Sequence, residues 1–320
     1  MKAIVRETYG PPDVLHLEDV PLPTLRDGDV LVRVHAAAAN AGDWHLVRGT
    51  PLPFRLIAGL RTPRFKIIGT DIAGHVEAVG RSVTQFRPGD EVFGELSRCG
   101  FGGYAEFVAA PEKAVALKPA TLSFEEAATI PTSGCTALQG LRKGRIQRGQ
   151  RVLVHGASGG VGTFAIQLAK AFGTEVTAVC STRHADMVCS IGADHVVDYT
   201  KDDFAALAPR YDLILAANGD RSIWDYRRAL TAHGSYAMTG GSNRQLRDAL
   251  LLGPLLSMGR QKFGNVLMTP NQADLVLLKE LCETGKVRPV IDLRFALSDV
   301  PAAIRYVEDG HARGKVVVMV

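Results

Sequence analysis

The stretch Val152-Leu153-Val154-His155-Gly156-Ala157-Ser158-Gly159-Gly160-Val161-Gly162 decides the fold. An apolar run of strand length enters glycines at 156, 159 and 162. Residues 161–172 follow, with Val161, Ala165, Leu168, Ala169 and Phe172 on one helical face. In this reading Gly156 permits a tight turn, Gly159 lets backbone approach a pyrophosphate, and Gly162 allows close helix–strand packing. A helix that starts here turns unpaired N–H groups and a positive dipole end toward the phosphates. Ser158, Gly160 and Val161 complete the loop. The spacing is GxxGxxG rather than GxGxxG, so a ligand-free glycine turn and a methyltransferase nucleoside loop are competing readings. The flanking strand, helix and second strand favour a dinucleotide.

Working outward, further apolar runs at 175–179, 195–197, 212–216 and 235–238 alternate with helical segments. That alternation predicts a parallel, doubly wound sheet, and the continuous run Leu213-Ile214-Leu215 suits a sheet covered on both faces. The first 120 residues read differently. Residues 30–35 carry a β-branched side chain at every second position, and Phe86-Arg87-Pro88-Gly89-Asp90 is a turn before another short strand. Many short strands between Gly/Pro turns predict a small, partly closed barrel. Ser123 and Glu126 form a capping box that opens a helix through Thr129, ended by Pro131. The tail returns to strand, a helix over 300–307 and the strand 315–320. It is read as rejoining the first domain, with boundaries at 1–120, 121–285 and 286–320.

Composition narrows the function. The 320 residues are 46% hydrophobic and 22% charged, which excludes disordered, collagen-like and coiled-coil classes. Lys+Arg 37 against Asp+Glu 33 leaves +4, and the charges are interspersed. That argues against nucleic acid as a partner. Five cysteines stand far apart without a CxxC, pointing to a reducing compartment. The N-terminus lacks the apolar core of a signal peptide, and residues 249–256 are too short and too broken to span a bilayer. A soluble cytoplasmic protein is expected, with no membrane partner.

The end of the second strand of the alternating region bears on cofactor choice. An NAD site usually carries Asp or Glu there to bind the ribose hydroxyls. This chain has Cys180-Ser181-Thr182-Arg183-His184. Ser181 and Arg183 suit a 2′-phosphate, which a carboxylate would repel, so NADPH is the expected cofactor; the competing reading of Arg183 is the start of a solvated helix.

The chain resembles the medium-chain dehydrogenase/reductase superfamily, in its zinc-independent quinone oxidoreductase branch. The matching pieces are Ala39-Asn40-Ala41-Gly42-Asp43, Gly69-Thr70-Asp71-Ile72-Ala73-Gly74, Pro88-Gly89-Asp90-Glu91-Val92, the 156–162 loop, Gly192-Ala193-Asp194 and Gly314-Lys315-Val316-Val317. The resemblance implies a GroES-like β-barrel catalytic domain split around a Rossmann domain, and a homodimer. Zinc-dependent members carry Cys in the segment of Asn40, Gly-His-Glu in place of Gly69-Thr70-Asp71, and a third ligand near Thr132 or Ser133. The structural-zinc lobe shrinks to residues 95–103 with Cys99 alone. Amide and hydroxyl oxygens replace thiolate and imidazole poorly at zinc, so no metal is expected.

By the same matching, Asn40, Asp43 and Trp44 belong to the active-site loop. Asn40 is a candidate to bond a substrate carbonyl or the nicotinamide ribose, and Trp44 to wall the pocket. Asn and Asp are also common turn residues, so loop architecture is the competing explanation. Thr136 and Ser158 match phosphate contacts, Tyr199 flanks the adenosine, and Asn218 and Gly240 end later strands where such sheets bind ligands. Without a metal to polarise an alkoxide, hydride transfer to a quinone or an α,β-unsaturated carbonyl is the expected reaction. An alcohol dehydrogenase or carbonyl reductase, and a non-enzymatic NADPH-binding role of the crystallin or RNA-binding kind, are the alternatives. Residues 241–262, with four basic side chains around an apolar core, are open to three readings: lid, dimer contact or solvated loop.

Overall fold

The computed structural model describes residues 1–52, 55–206, 211–310 and 312–320. In chain order the strands are β1 (Lys2–Val5), β2 (His16–Asp19), β3 (Asp29–Ala39), β4 (Asp71–Val79), β5 (Glu91–Glu95), β6 (Phe107–Pro111) and β7 (Val115–Leu117). Then come β8 (Arg151–His155), β9 (Glu175–Cys180), β10 (His195–Asp198), β11 (Tyr211–Ala216), β12 (Leu230–Met238), β13 (Lys262–Asn265), β14 (Ile291–Ala296) and β15 (Lys315–Met319).

The chain divides into two compact units: residues 1–132, 270–284 and 291–320 form one, and residues 133–269 with 285–290 form the other. The first unit holds a seven-stranded sheet in the order β14-β15-β3-β4-β5-β7, with β6 also on β3. One edge of β3 pairs along its length with β4; the other is divided, residues 29–33 taking β6 and residues 36–39 taking β15. The divided edge splays the sheet, as the barrel reading requires. Alternation on β3 sends Val30, Val32 and Val34 into one buried cluster with Ile72, Val92 and Val108. Beyond the bend, Ala37 and Ala39 face a second cluster with Leu46, Val300 and Ile304. The small side chains of this alanine run let the helices Ala41–Arg48 and Val300–Glu308 pack close.

The second unit is a six-stranded parallel sheet, β10-β9-β8-β11-β12-β13. Strand order reverses between β8 and β11, which makes this a doubly wound Rossmann sheet with a switch point beside the 156–162 loop. All five sequence-read strands are present. β12 starts earlier than read, because Leu230 pairs with Tyr211 before a bulge ahead of Ser235.

The boundaries at 120 and 285 differ from the packing. The helix Gln272–Glu283 lies with the first unit, where Gln272 Nε2 donates to the Glu112 and Val115 carbonyls. The Ser123–Glu126 box closes in both directions, at 3.0 and 3.2 Å, over the helix Phe124–Ala128. Pro131 opens the next helix, Pro131–Lys143, where its missing N–H costs nothing. Residues 241–262 contain the helices Asn243–Leu251 and Gly253–Leu256. Among the described residues no helix is long and apolar enough to cross a membrane.

Candidate active site

In the first unit, Asn40 ends β3 and starts the helix Ala41–Arg48. Its amide is surrounded. Oδ1 accepts from Lys315 Nζ, while Nδ2 lies 3.0 Å from Thr70 Oγ1, 3.0 Å from Asp71 Oδ2 and 3.2 Å from the Ala38 carbonyl. An amide has two N–H donors, so three acceptors leave Asn40 with none for a substrate carbonyl. The Asn40 side chain lies inside a buried network.

Asp71 Oδ1 accepts from the Thr132 N–H at 3.0 Å and from Thr132 Oγ1 at 2.6 Å. Lys315 Nζ lies 3.7 Å from Asp71 Oδ2, with both side chains buried. Burial raises the Asp71 carboxyl, while Lys315 and the donated bonds oppose the shift. Burial lowers Lys315, opposed by Asp71 and Asp43.

Asp43 is 0% exposed. Oδ2 accepts from the Asn40 N–H at 2.8 Å and from the Tyr104 hydroxyl at 2.9 Å. Burial pushes its carboxyl up to about 7 against those two bonds. Enclosed in this way, Asp43 caps the start of its helix through the Asn40 N–H. Trp44 is half-buried, tilted against His45 at 3.5 Å between ring centroids, and stands apart from the network. Sequence reading missed Tyr104 and assigned no role to Lys315. The signal was available at Lys315, a cation opening the apolar strand Val316-Val317-Val318.

In the second unit the sequence-read residues other than Thr136 follow the carboxyl ends of strands. Gly156 carries φ +79, and a Cβ there would meet Asn218 N at 2.7 Å; a Cβ on Gly162 would meet the Gly156 carbonyl at 2.2 Å. These two glycines are required by the protein itself. Gly159 is different: the nearest atom to its Cβ position is the Gly156 carbonyl at 3.7 Å, and its φ is −80. The space in front of it is a cradle that a side chain would fill, so the loop fits a bound pyrophosphate.

Ser158, Gly160 and Val161 are half-buried around this cradle, and the Ala217 and Asn218 N–H groups donate to the His155 carbonyl. Gly240 follows β12 with its N–H toward the Ala216 carbonyl, and Thr136 is buried on the helix Pro131–Lys143. Ser181 and Arg183 follow β9; Arg183 is exposed and its Nε donates to His184 Nε2 at 2.9 Å. Tyr199 is 54% exposed after β10.

Two features here were not read from sequence. Asp198, at the end of β10, accepts from the Thr182 and Thr200 hydroxyls, which hold its carboxyl below the usual range. Behind the loop, His155 Nδ1 pairs with the Tyr226 hydroxyl at 2.8 Å, and burial lowers the imidazole to about 4.

Comparison with known proteins now decides the family. A chloroplastic quinone oxidoreductase of Triphysaria versicolor is 35% identical over 99% of this chain and 98% of its own length. The chain belongs to the quinone oxidoreductase branch of the medium-chain dehydrogenase/reductase superfamily. An NADPH-dependent alkenal/one oxidoreductase of Arabidopsis thaliana is 35% identical over 99% of this chain and 79% of that protein. The solved quinone oxidoreductase of Coxiella burnetii superposes with a TM-score of 0.89 at 32% identity, covering 100% of this chain and 99% of that one. The alcohol dehydrogenase GroES-like domain profile matches residues 26–120, and the zinc-binding dehydrogenase profile matches residues 191–318.

The second profile's metal does not fit this member of the family. Asn40 Oδ1 is occupied by Lys315, the Thr132 hydroxyl is spent on Asp71, and neither thiolate nor imidazole stands at these positions. Cys99 donates its thiol to the Leu96 carbonyl, and burial pushes it up to about 12.

Gly159→Val should weaken NADPH binding at least tenfold, about 1.4 kcal/mol or more, because the side chain fills the cradle. The melting temperature of the free protein should stay close to wild type, since nothing in the chain lies within 3.4 Å of the new Cβ. Isothermal titration and thermal unfolding check the two halves.

Proposed function

We propose that this protein is an NADPH-dependent reductase of quinones and α,β-unsaturated carbonyls that works by direct hydride transfer without metal. One observation carries the reading. Asn40, Thr70 and Thr132, which stand at or next to the positions where the family resemblance puts zinc ligands, form a single hydrogen-bonded cluster in a chain that keeps the dinucleotide cradle. Bound NADPH supplies the hydride at C4 of its nicotinamide. Gly156, Ser158, Gly159, Gly160, Val161 and Gly162 hold the pyrophosphate, with Thr136 as a further contact. Tyr199 covers the adenosine, and Asn218 and Gly240 line the nicotinamide half. Trp44 walls the acceptor pocket, while Asn40 and Asp43 position the loop that carries it. An electron-poor acceptor needs orientation more than Lewis-acid activation, which suits a site built from amide and hydroxyl groups. The names of the Triphysaria and Arabidopsis relatives support quinone and enone acceptors.

Ser181 and Arg183 direct the choice of NADPH over NADH. The exposed guanidinium stands beyond β9, while Thr182, Thr200 and Lys201 occupy the nearby Asp198 carboxylate. The protein is further proposed to be a cytoplasmic homodimer. Its five free cysteines support the compartment. The exposed Leu250, Leu255 and Met258 of the 243–258 segment supply an apolar face for a second copy. Sedimentation equilibrium should give twice the chain mass, and a single-chain mass would refute the dimer.

With C4-deuterated NADPH and an enone, deuterium should appear at the β-carbon of the product, read by NMR. Product free of label would rule out direct transfer. Arg183→Glu should raise the Kd for NADPH by about tenfold or more and leave NADH binding little changed, because it places like charge beside the 2′-phosphate. Equal affinities of the wild type for the two cofactors would overturn the assignment.

A further inference from the structure

The Asn40 cluster has a direction set by which atoms can donate. Lys315 Nζ donates to Asn40 Oδ1, and Asn40 Nδ2, a donor only, faces Thr70 Oγ1 at 3.0 Å. Thr70 therefore receives a hydrogen bond through its oxygen and keeps its own proton to give. Thr132 cannot take that role, since its hydroxyl proton is committed to Asp71 Oδ1 at 2.6 Å. The remaining contact, Thr70 Oγ1 to Thr132 Oγ1 at 3.3 Å, is a weak hydrogen bond that Thr70 donates. The chain of donors Lys315, Asn40, Thr70 thus ends in a hydroxyl with no strong acceptor. Each link polarises the next, so the terminal O–H is a better donor than an isolated threonine. Thr70 is 6% exposed and Thr132 half-buried, while Lys315 and Asp71 are 2% and 0% exposed.

We propose that the Thr70 hydroxyl is the oxyanion donor of the reduction, taking over the polarising role that a metal plays in zinc-dependent relatives. The inference rests on the reductase reading above. When hydride reaches the β-carbon of an enone, the C=C electrons move and charge gathers on the carbonyl oxygen. That oxygen accepts the Thr70 hydrogen bond without removing its proton. The α-carbon takes a proton from water, so one hydride and one proton are consumed and Thr70 is unchanged. Lys315 and Asn40 act through Thr70 as positioning residues.

The experiment compares Thr70→Val, Thr70→Ala and Thr70→Ser with wild type in two assays. The kcat/KM for an enone should fall about ten- to a hundredfold in the Val and Ala variants and recover most of the loss in Ser. NADPH affinity should hold in all of them. The second assay follows the absorbance of 4-nitrophenol against pH, with no turnover involved. Wild type and Thr70→Ser should bind the phenolate more tightly than the phenol, lowering the apparent pKa of the bound dye, and Thr70→Val and Thr70→Ala should abolish the shift. Folded Val or Ala variants with wild-type kcat/KM, or a wild type that leaves the dye's pKa unchanged, would overturn the proposal. If the wild type shifts the dye but oxidises NADPH with no quinone or enone, the reductase reading fails while the oxyanion site stands.

Discussion

The contact of Lys315 Nζ with Asn40 Oδ1, backed by Asp71, is the interaction on which the first unit's chemistry depends. It ties together the end of β3, the start of β4, the start of β15 and the first turn of the helix at Thr132. Burying a cation and a carboxylate is costly unless every donor and acceptor finds a partner. Here one amide, two hydroxyls and two backbone groups complete the set. Loss of any member leaves its neighbours buried and unpaired, which is why the network fixes a single arrangement of the loop from Asn40 to Trp44. Asp43, bonded to Tyr104, fixes the same loop from behind.

The second unit solves a different problem with backbone. A pyrophosphate carries charge that side chains would have to match, but a helix start and a glycine turn offer N–H groups at little conformational cost. Reversal of strand order between β8 and β11 leaves the crevice into which that turn projects. His155, bonded to Tyr226, and Gln245, bonded to Tyr226 and Tyr236, form a buried hydrogen-bonded group in this unit.

A shared fold does not fix the reaction. The barrel and the Rossmann sheet are shared with zinc-binding dehydrogenases, yet the polar side chains around Asn40 differ in donor type from metal ligands. Asn40, Thr70 and Thr132 cannot serve a metal while they bond one another and Lys315. At these positions the structure holds amide and hydroxyl groups in place of thiolate and imidazole.

The alternation of strand and helix from Arg151 onward, the glycines of the cradle and the absence of thiolate and imidazole ligands were determined by sequence alone. Each follows from local chemistry: periodicity, permitted backbone angles and donor type. The barrel was legible in the valines of β3, and Ser123 with Glu126 marked its helix. Tertiary structure decided what depends on pairing between distant residues. That the Asn40 amide is spent, that Asp43 is sealed behind Tyr104, and that Lys315 reaches Asn40 from 275 residues away could not be read from spacing. The helix Gln272–Glu283 likewise joins the first unit through Gln272 and the carbonyls of Glu112 and Val115. A hydrogen bond has direction and an amide has few donors, so the role of a polar side chain is settled by what surrounds it in the folded chain.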